Sequence, residues 1–352
     1  MYQLLRPLLF KLEPESAHQL SLRLLQMTGN FSLSNLLLKQ IFKAPAKPVK
    51  AFGFTFKNPI GLAAGYDKNG IAIAGLSALG FGHVEIGTVT PLAQDGNLKP
   101  RVFRLTEDEG LINRMGFPGR GAEYVSTRIK PKEKVSPLGR LLIARWRNTS
   151  MILGVNLGKN KSTPNEESVL DYLSLMQVLS AYADYLTINI SSPNTVGLRQ
   201  LQGKDALQSL LFQINAQRNL EERKLQKRLP ILVKLAPDLS ESELNDAIDV
   251  IIDSKMDGII VTNTTLERTG LRSNYQRESG GLSGKPLTVK SEAVLHQTVK
   301  RVNEKIPIVS VGGIMNPEDA KRRLDAGATL IQMYTGLIYT GPSLVKNILK
   351  SL

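Results

Sequence analysis

From about residue 59 onward the sequence repeats one unit: a short β-branched or apolar run, then a polar stretch whose apolar residues recur with helical period. The runs occupy residues 59–64, 83–89, 151–157, 185–190, 231–236, 257–262, 307–311 and 329–334. Helical stretches between them include 69–79, 166–183, 205–227, 240–254, 288–304 and 317–326. Strands that are apolar throughout are buried on both faces, and their alternation with helices marks βα units around a parallel sheet. Eight such units predict a closed (β/α)8 TIM barrel. A chain of 352 residues is long enough for one such barrel with an appendage.

Two stretches lie outside the repeat. The gap between the second and third runs, residues 90–150, is long and carries the basic segment Lys130-Pro131-Lys132-Glu133-Lys134. It is expected to pass over the barrel mouth with some strand or helix of its own. Residues 1–50 differ in composition: Leu4, Leu5, Leu8 and Leu9, then Leu20, Leu24 and Leu25, fall at roughly helical spacing, and Pro14 suits the first turn of a second helix. Seven Lys/Arg stand there against two Glu. Residues 1–50 are thus expected to form a small helical unit, and 51–352 the barrel. An apolar face flanked by cations fits a helix lying on an anionic membrane surface, where each Lys or Arg adds about 1 kcal/mol.

The whole chain carries 45 Lys/Arg against 31 Asp/Glu, a net charge of +14. Such a field attracts nucleic acid, a membrane surface or a small anionic substrate, and does not choose among them. No 18-residue apolar run and no signal-peptide pattern is present, so a cytosolic or membrane-face location is expected.

Barrel chemistry sits at the C-terminal ends of strands. After the first run comes Ala63-Ala64-Gly65-Tyr66-Asp67-Lys68; after the second, Gly87-Thr88-Val89-Thr90-Pro91. The third closes on Asn156-Leu157-Gly158-Lys159-Asn160, the fourth on Asn189-Ile190-Ser191-Ser192-Pro193-Asn194-Thr195. The fifth holds Lys234, the sixth ends Thr262-Asn263-Thr264, the seventh Gly312-Gly313 and the eighth Tyr334-Thr335-Gly336. Glycines after the last two strands let backbone N–H groups approach an anion, which points to a phosphorylated cofactor or substrate. Lys234 sits in an apolar run, where a charge is costly unless an anionic partner, here expected to be a ligand, compensates it. Asn156, Asn189, Asn194 and Asn263 donate and accept at once and suit a planar ligand with carbonyls and N–H groups. The absence of cysteine excludes disulfides, thiolate metal sites and a cysteine base. His18, His83 and His296 are scattered and are read as structural or surface residues, so no metal is expected and no Ser-His-Asp arrangement can be assembled.

Five motifs in order, Ala64-Gly65-Tyr66-Asp67-Lys68, Asn113-Arg114-Met115-Gly116-Phe117, Asn189-Ile190-Ser191-Ser192-Pro193-Asn194-Thr195, Thr262-Asn263-Thr264-Thr265 and Gly280-Gly281-Leu282-Ser283-Gly284-Lys285-Pro286-Leu287, resemble the dihydroorotate dehydrogenase family over the whole chain. That family has a soluble branch with a cysteine base and a membrane-associated, quinone-reducing branch (class 2) with a serine. Lack of cysteine, Ser192 at the base position and the Leu-rich N-terminal unit make the resemblance one to the second branch.

The resemblance implies oxidation of dihydroorotate to orotate in pyrimidine biosynthesis, with FMN as hydride acceptor and a membrane quinone as final acceptor. FMN would meet Ala64, Gly65, Tyr66, Asp67, Lys68, Thr88, Asn156, Asn189, Lys234 and Thr262, with Gly284, Gly313, Tyr334 and Thr335 at its phosphate end. Dihydroorotate would meet Lys68, Asn113, Arg114, Met115, Gly116, Phe117, Asn189, Asn194, Asn263 and Thr264. Ser192 would take the C5 proton, with Thr195 as a relay, and Lys234 would lie on the N1 side of the flavin. Arg104 and Tyr334 would line the quinone passage. A monomer attached peripherally to the cytoplasmic face of a bacterial membrane, without nucleic acid, is implied. The Pro118-Gly119-Arg120-Gly121 loop and the basic segment after it depart from the asparagine-bearing sequence of many members. A tRNA dihydrouridine synthase would suit the charge, but its cysteine acid is impossible here; a non-catalytic barrel would leave the strand-end motifs unexplained.

Overall fold

The computed structural model of the chain describes residues 2–131 and 151–352. Eight parallel strands close into a barrel: β1 (Ile60–Leu62), β2 (His83–Val89), β3 (Ile152–Leu157), β4 (Tyr185–Asn189), β5 (Ile231–Leu235), β6 (Gly258–Val261), β7 (Ile308–Val311) and β8 (Leu330–Met333). Each pairs with the next in sequence, and β8 returns to β1 with Ile331 opposite Ile60 and Met333 opposite Leu62. Every residue of β2, β4, β5, β6, β7 and β8 is buried, the polar Glu85, Thr187, Asn189, Lys234, Ser310 and Gln332 among them, as strands covered on both faces must be. The covering helices start on local signals. Ser240 and Glu243 form a reciprocal capping box at Glu241–Asp253, and Asn316 caps Pro317–Asp325, which has proline at its first position.

Strands are a residue or two shorter than the apolar runs because the run ends already turn into the mouth loops. The helix expected over 69–79 spans only Ile73–Ala78. The cause is Asp67, whose carboxylate accepts from the N–H groups of Ile71 (3.0 Å) and Ala72 (2.8 Å) and ties the preceding residues into a turn.

Part of the 90–150 excursion does have structure of its own. Val102–Leu105 and Gly110–Asn113 pair antiparallel, and Gly281–Gly284 joins them as a third strand through Asn113 opposite Gly281. Helix Gly121–Ile129 follows. The rest of the basic segment, from Lys132 onward, lies outside the described residues. The polar 267–279 stretch becomes a loop anchored where Asp108 accepts from the N–H groups of Arg272 and Ser273. A hairpin of Val49–Ala51 and Phe54–Phe56 spans the expected boundary at residue 50. It packs Phe52 and Phe56 among Tyr185 and His83, the first residues of β4 and β2, and so plugs the barrel's N-terminal end.

Three helices rather than two precede the hairpin: α1 (Tyr2–Lys11), α2 (Pro14–Asn30) and α3 (Ser32–Ile41). Glu13 caps α2 by accepting from the N–H groups of Glu15 and Ser16. Helix α2 lies backbone to backbone on Ile73–Ala78: a Cβ at Gly29 would stand 2.2 Å from Gly75 N, and one at Gly75 2.2 Å from the Leu25 carbonyl. At its N-terminal end the Glu15 carboxylate takes a two-pronged bond from Arg101, Nη2 to Oε1 at 2.7 Å and Nε to Oε2 at 3.1 Å. Both side chains are 8% exposed. Arg104 donates to the carbonyls of Phe10 (2.8 Å) and Leu12 (2.9 Å), holding the end of α1. Leu4, Leu5, Leu8, Leu20, Leu24, Leu33, Leu36, Leu37 and Ile41 remain exposed. Among the described residues no helix is long and apolar enough to cross a membrane.

Removing one partner of a buried ion pair leaves the other charge uncompensated, so Glu15→Ala is expected to weaken the docking of α2 by about 3–5 kcal/mol. The readout is amide hydrogen exchange, faster over residues 14–30 while the barrel strands keep their protection. Unchanged exchange would show that the Gly29–Gly75 contact holds α2 without the ion pair.

Candidate active site

A cavity of about 410 Å³ opens at the C-terminal ends of the strands and extends outward between the barrel and α1–α2. Its wall gathers Ala64, Gly65, Tyr66, Lys68, Thr88, Asn113, Met115, Gly116, Phe117, Asn189, Ser192, Asn194, Lys234, Thr262, Asn263, Thr264, Gly284, Gly313, Tyr334 and Thr335. Three of the residues assigned to FMN or dihydroorotate do not line it, nor does Thr195. Asp67 is fully buried and occupied by the turn described above. Asn156 lies beneath the floor, bonded to groups that do line it. Arg114 turns away: its guanidinium pairs with Glu278, donates to the Pro100 carbonyl at 3.0 Å and lies over the Phe103 ring. The backbone of its loop still shapes the cavity through Asn113, Met115, Gly116 and Phe117.

The floor is built on a carboxylate that the sequence reading passed over. Glu85 of β2, fully buried, accepts from Asn156 Nδ2 (2.8 Å) on one oxygen, and from Tyr185 OH (3.1 Å), Thr187 Oγ1 (3.1 Å) and Gln332 Nε2 (3.0 Å) on the other. Above it, Asn156 Oδ1 accepts from Thr88 Oγ1 (2.6 Å) and Asn189 Nδ2 (3.0 Å), and Asn263 Nδ2 donates to Ser191 Oγ (2.9 Å) and Asn189 Oδ1 (3.3 Å). Burial pushes the Lys234 amine below its ordinary pKa, and the Glu85 charge partly offsets that. The compensating anion assigned to a ligand from sequence is therefore supplied in part by the barrel. Gln332 Oε1 has no hydrogen-bond partner among the described residues, although the side chain is fully buried and lines the cavity.

On one side of the floor stand Ser192 and the 113–117 loop. Ser192 is buried, and its hydroxyl accepts from the Asn194 N–H at 3.3 Å. Asn194 Nδ2 donates to Asn113 Oδ1 at 3.1 Å, and Asn97 Nδ2 donates to the carbonyls of Arg114 and Asn194, tying the three loops together. Thr195 makes no hydrogen bond to Ser192 among the described residues. Arg199, not anticipated, bridges the loops after β4 and β6 by donating to the carbonyls of Ser191 (3.0 Å) and Thr264 (2.8 Å) while pairing with Asp238. Lys68 Nζ donates to the Gly65 carbonyl at 2.7 Å. Burial lowers its pKa to about 8, with the Glu15 charge opposing and Arg101 reinforcing the shift.

The outer end of the cavity is apolar apart from a few groups: Tyr2, Phe10, Pro14, His18, Leu25, Arg104, Tyr334 and Ile338. His18 is thus a wall residue and neither a core nor a free surface group. Its ring meets Tyr66 edge-on at 4.9 Å, and Tyr66 meets Tyr334 at 5.5 Å. Burial, with Lys68 adding to it, pushes the His18 imidazole down to about 4, so it is neutral at physiological pH. At the opposite end Gly284, Gly312 and Gly313 have φ of 91°, 111° and 72°, values that favour glycine. A Cβ at Gly313 would stand 2.4 Å from the Thr288 backbone, so this turn is also a close approach.

A family model described as Dihydroorotate dehydrogenase matches residues 47–352. The chain is 45% identical over 352 residues, all of both chains, to a Dihydroorotate dehydrogenase (quinone) of Idiomarina loihiensis. It is 44% identical to that of Halorhodospira halophila, covering all of this chain and 97% of the relative. Among solved structures, DHODH of Eimeria tenella in complex with ferulenol superposes with a TM-score of 0.80 at 36% identity, covering 96% of this chain and 90% of that one. The ligand-free form from the same organism gives 0.77 at 38% identity, covering 90% of this chain and 91% of that one.

Replacing Glu85 by leucine strands a buried cation and four donors, and a loss of about 3–5 kcal/mol in stability is expected. Urea unfolding at neutral pH measures it, with Glu85→Gln, which keeps an acceptor, losing less. A loss below about 1 kcal/mol for Glu85→Leu would mean that the floor repacks around Lys234 without its carboxylate.

Proposed function

The chain belongs to the dihydroorotate dehydrogenase family, in its quinone-dependent branch, and on that premise we propose that the cavity takes FMN and dihydroorotate side by side, with the quinone reaching it between α1 and α2. The overall reaction is the oxidation of (S)-dihydroorotate to orotate, a step of pyrimidine biosynthesis, with a quinone as final electron acceptor.

The observation that carries the FMN reading is a set of buried polar groups left without protein partners along one wall. Among the described residues Gln332 Oε1 is unpartnered and the Lys234 amine makes no hydrogen bond, and the turns at Gly284 and Gly313, both at positive φ, line the cavity with backbone and no side chain. A planar heterocycle with carbonyls and N–H groups at one end and a phosphate at the other satisfies that set. Ala64, Gly65, Thr88, Asn189, Lys234 and Thr262 would hold the ring and ribityl chain, and Gly284, Gly313, Tyr334 and Thr335 the phosphate. Tyr66 and Lys68 would border the ring. Asp67 and Asn156 would act one step back, by shaping the first turn and by orienting Thr88 and Asn189. When bound, FMN supplies the N5 atom that accepts a hydride from C6 of dihydroorotate.

Ser192 takes the proton from C5. Its hydroxyl is held by the Asn194 N–H, and its own proton passes outward through a water or the Thr195 hydroxyl, since a neutral serine needs a relay to act as a base. Lys68 pairs with the substrate carboxylate. Asn113, Asn194, Asn263 and Thr264, with Asn189 from the floor, meet the ring carbonyls and N–H groups, and Met115, Gly116 and Phe117 close the loop over it. Arg114 contributes through its backbone, its guanidinium being held by Glu278.

The exposed leucines of α1–α3 support peripheral attachment to a membrane, where the chain would lie as a monomer on the cytoplasmic face of a bacterial cell. A quinone arriving there would enter past Arg104 and Tyr334, which stand in the wall at the helical end of the cavity.

An anaerobic absorption spectrum tests the reading: a flavin band that bleaches with dihydroorotate and returns with a ubiquinone analogue is expected. Ser192→Ala should keep the band and slow its bleaching by about 10²–10⁴-fold, the usual worth of general base catalysis; bleaching at the original rate would remove Ser192 from the base role. A second expectation concerns pH. Because the Lys68 pKa is lowered to about 8, its charge is present below that value and lost above it. Orotate affinity, measured by calorimetry from pH 6 to 10, should fall by about tenfold per unit above about 8, and Lys68→Met should flatten the dependence. A flat profile in the unaltered chain would place the carboxylate elsewhere.

A further inference from the structure

Arg323, in the helix Pro317–Asp325 between β7 and β8, is fully buried. A buried guanidinium ordinarily forks onto a carboxylate. Here Glu292 stands 3.9 Å from Nε, beyond hydrogen-bond range, and Nε has no hydrogen-bond partner among the described residues. Its Nη2 instead donates to three oxygens, the Thr288 carbonyl (2.8 Å), Ser291 Oγ (2.8 Å) and the Gly312 carbonyl (3.1 Å). Ser291 Oγ also donates to the Gly312 carbonyl at 2.9 Å, and Thr288 Oγ1 donates to the Gly313 carbonyl at 2.8 Å.

Both carbonyls of the Gly312-Gly313 turn are thus drawn to the helix side. In a trans peptide the C=O and the following N–H point in opposite directions. The amides of Gly313 and Ile314 therefore face away from Arg323, toward the cavity that both residues line, and neither donates to another group among the described residues.

We propose that Arg323 is a positioning residue for the phosphate end of the flavin site: it fixes the Gly312-Gly313 turn from behind so that two backbone amides meet a phosphate monoester dianion, and thereby makes the chain prefer FMN to unphosphorylated flavin. The inference rests on the FMN reading above. Electrostatics act in the same sense. Burial lowers the Arg323 pKa to about 10 despite the charges of Glu292 and Asp319, so a dianion on the far side of the turn would add favourable charge.

The test titrates the full chain, freed of flavin, with FMN and separately with riboflavin, following flavin fluorescence. Unaltered protein should bind FMN more tightly. Arg323→Gln should weaken FMN by about tenfold to a hundredfold, the range of a charge-assisted hydrogen-bond set, while riboflavin changes by less than about twofold. Arg323→Lys, which keeps the charge and three donors, should restore most of the preference. Should Arg323→Gln fail to fold, Thr288→Val releases the Gly313 carbonyl alone and is expected to weaken FMN selectively by about threefold to tenfold. Equal weakening of both flavins, or a preference that survives in the folded neutral variant, overturns the role of Arg323 alone. Equal affinity for the two flavins in the unaltered chain overturns the FMN reading and the inference with it.

Discussion

Inside a closed barrel a carboxylate has no water to turn to, and Glu85 meets that constraint by drawing four donors from three other strands. Tyr185 and Thr187 come from β4, Asn156 from β3 and Gln332 from β8. Each amide spends its NH2 downward on Glu85 and thereby turns its carbonyl upward. Asn156 Oδ1 then organises Thr88 and Asn189, and Gln332 Oε1 is left facing the cavity. The polar floor of the site is in this sense the upper surface of a solution to a core problem. Lys234 belongs to the same balance, since one buried cation and one buried anion in a low-dielectric interior are each tolerable because the other is there.

That logic also explains what could be read in the sequence. The barrel was legible because strands buried on both faces cannot hide: their apolar runs and the helical period between them survive any detail of packing. The strand-end residues were legible as a set for the same reason, since barrel topology delivers every strand end to one face. Directions of individual side chains were not. Motif membership put Arg114 and Asp67 in the right neighbourhood, yet local competition decided where they point: Glu278 and Phe103 for one, the amides of Ile71 and Ala72 for the other. Glu85 and Gln332 went unnoticed because a lone polar residue in an apolar run reads as an interruption until its partners on other strands are known. The antiparallel sheet beside the mouth depends on pairing Asn113 with Gly281, a contact between segments far apart in the chain that no local periodicity announces. The third N-terminal helix was missed because its leucines face solvent and carry no core signal.

The helical unit is compositionally distinct and structurally inseparable from the site. Its α2 supplies Glu15 to the buried pair with Arg101 and His18 to the cavity wall, and both groups act on Lys68 or are acted on by it. The Glu15 charge favours the protonated amine, while burial, the largest effect, and Arg101 together oppose it. Seating α2 therefore places charge beside Lys68 as well as covering apolar surface. A unit read as an appendage in sequence thus becomes one wall of the site.

The cavity consequently changes character along its length. At the strand ends it is lined by amides, hydroxyls and two amines, with Asn189 and Asn263 oriented by a second layer of bonds. Toward α1 and α2 it becomes aromatic and aliphatic, with His18 held neutral and Arg104 engaged by the end of α1. A charged, hydrogen-bonding molecule gains from the first environment and loses from the second, because leaving its polar groups unmatched costs more than apolar contact returns. A long apolar molecule experiences the reverse. One continuous space can therefore sort two chemically opposite reactants to its two ends without a gate, and the residues between them, Tyr66 and Tyr334 in edge-on contact, are shared by both.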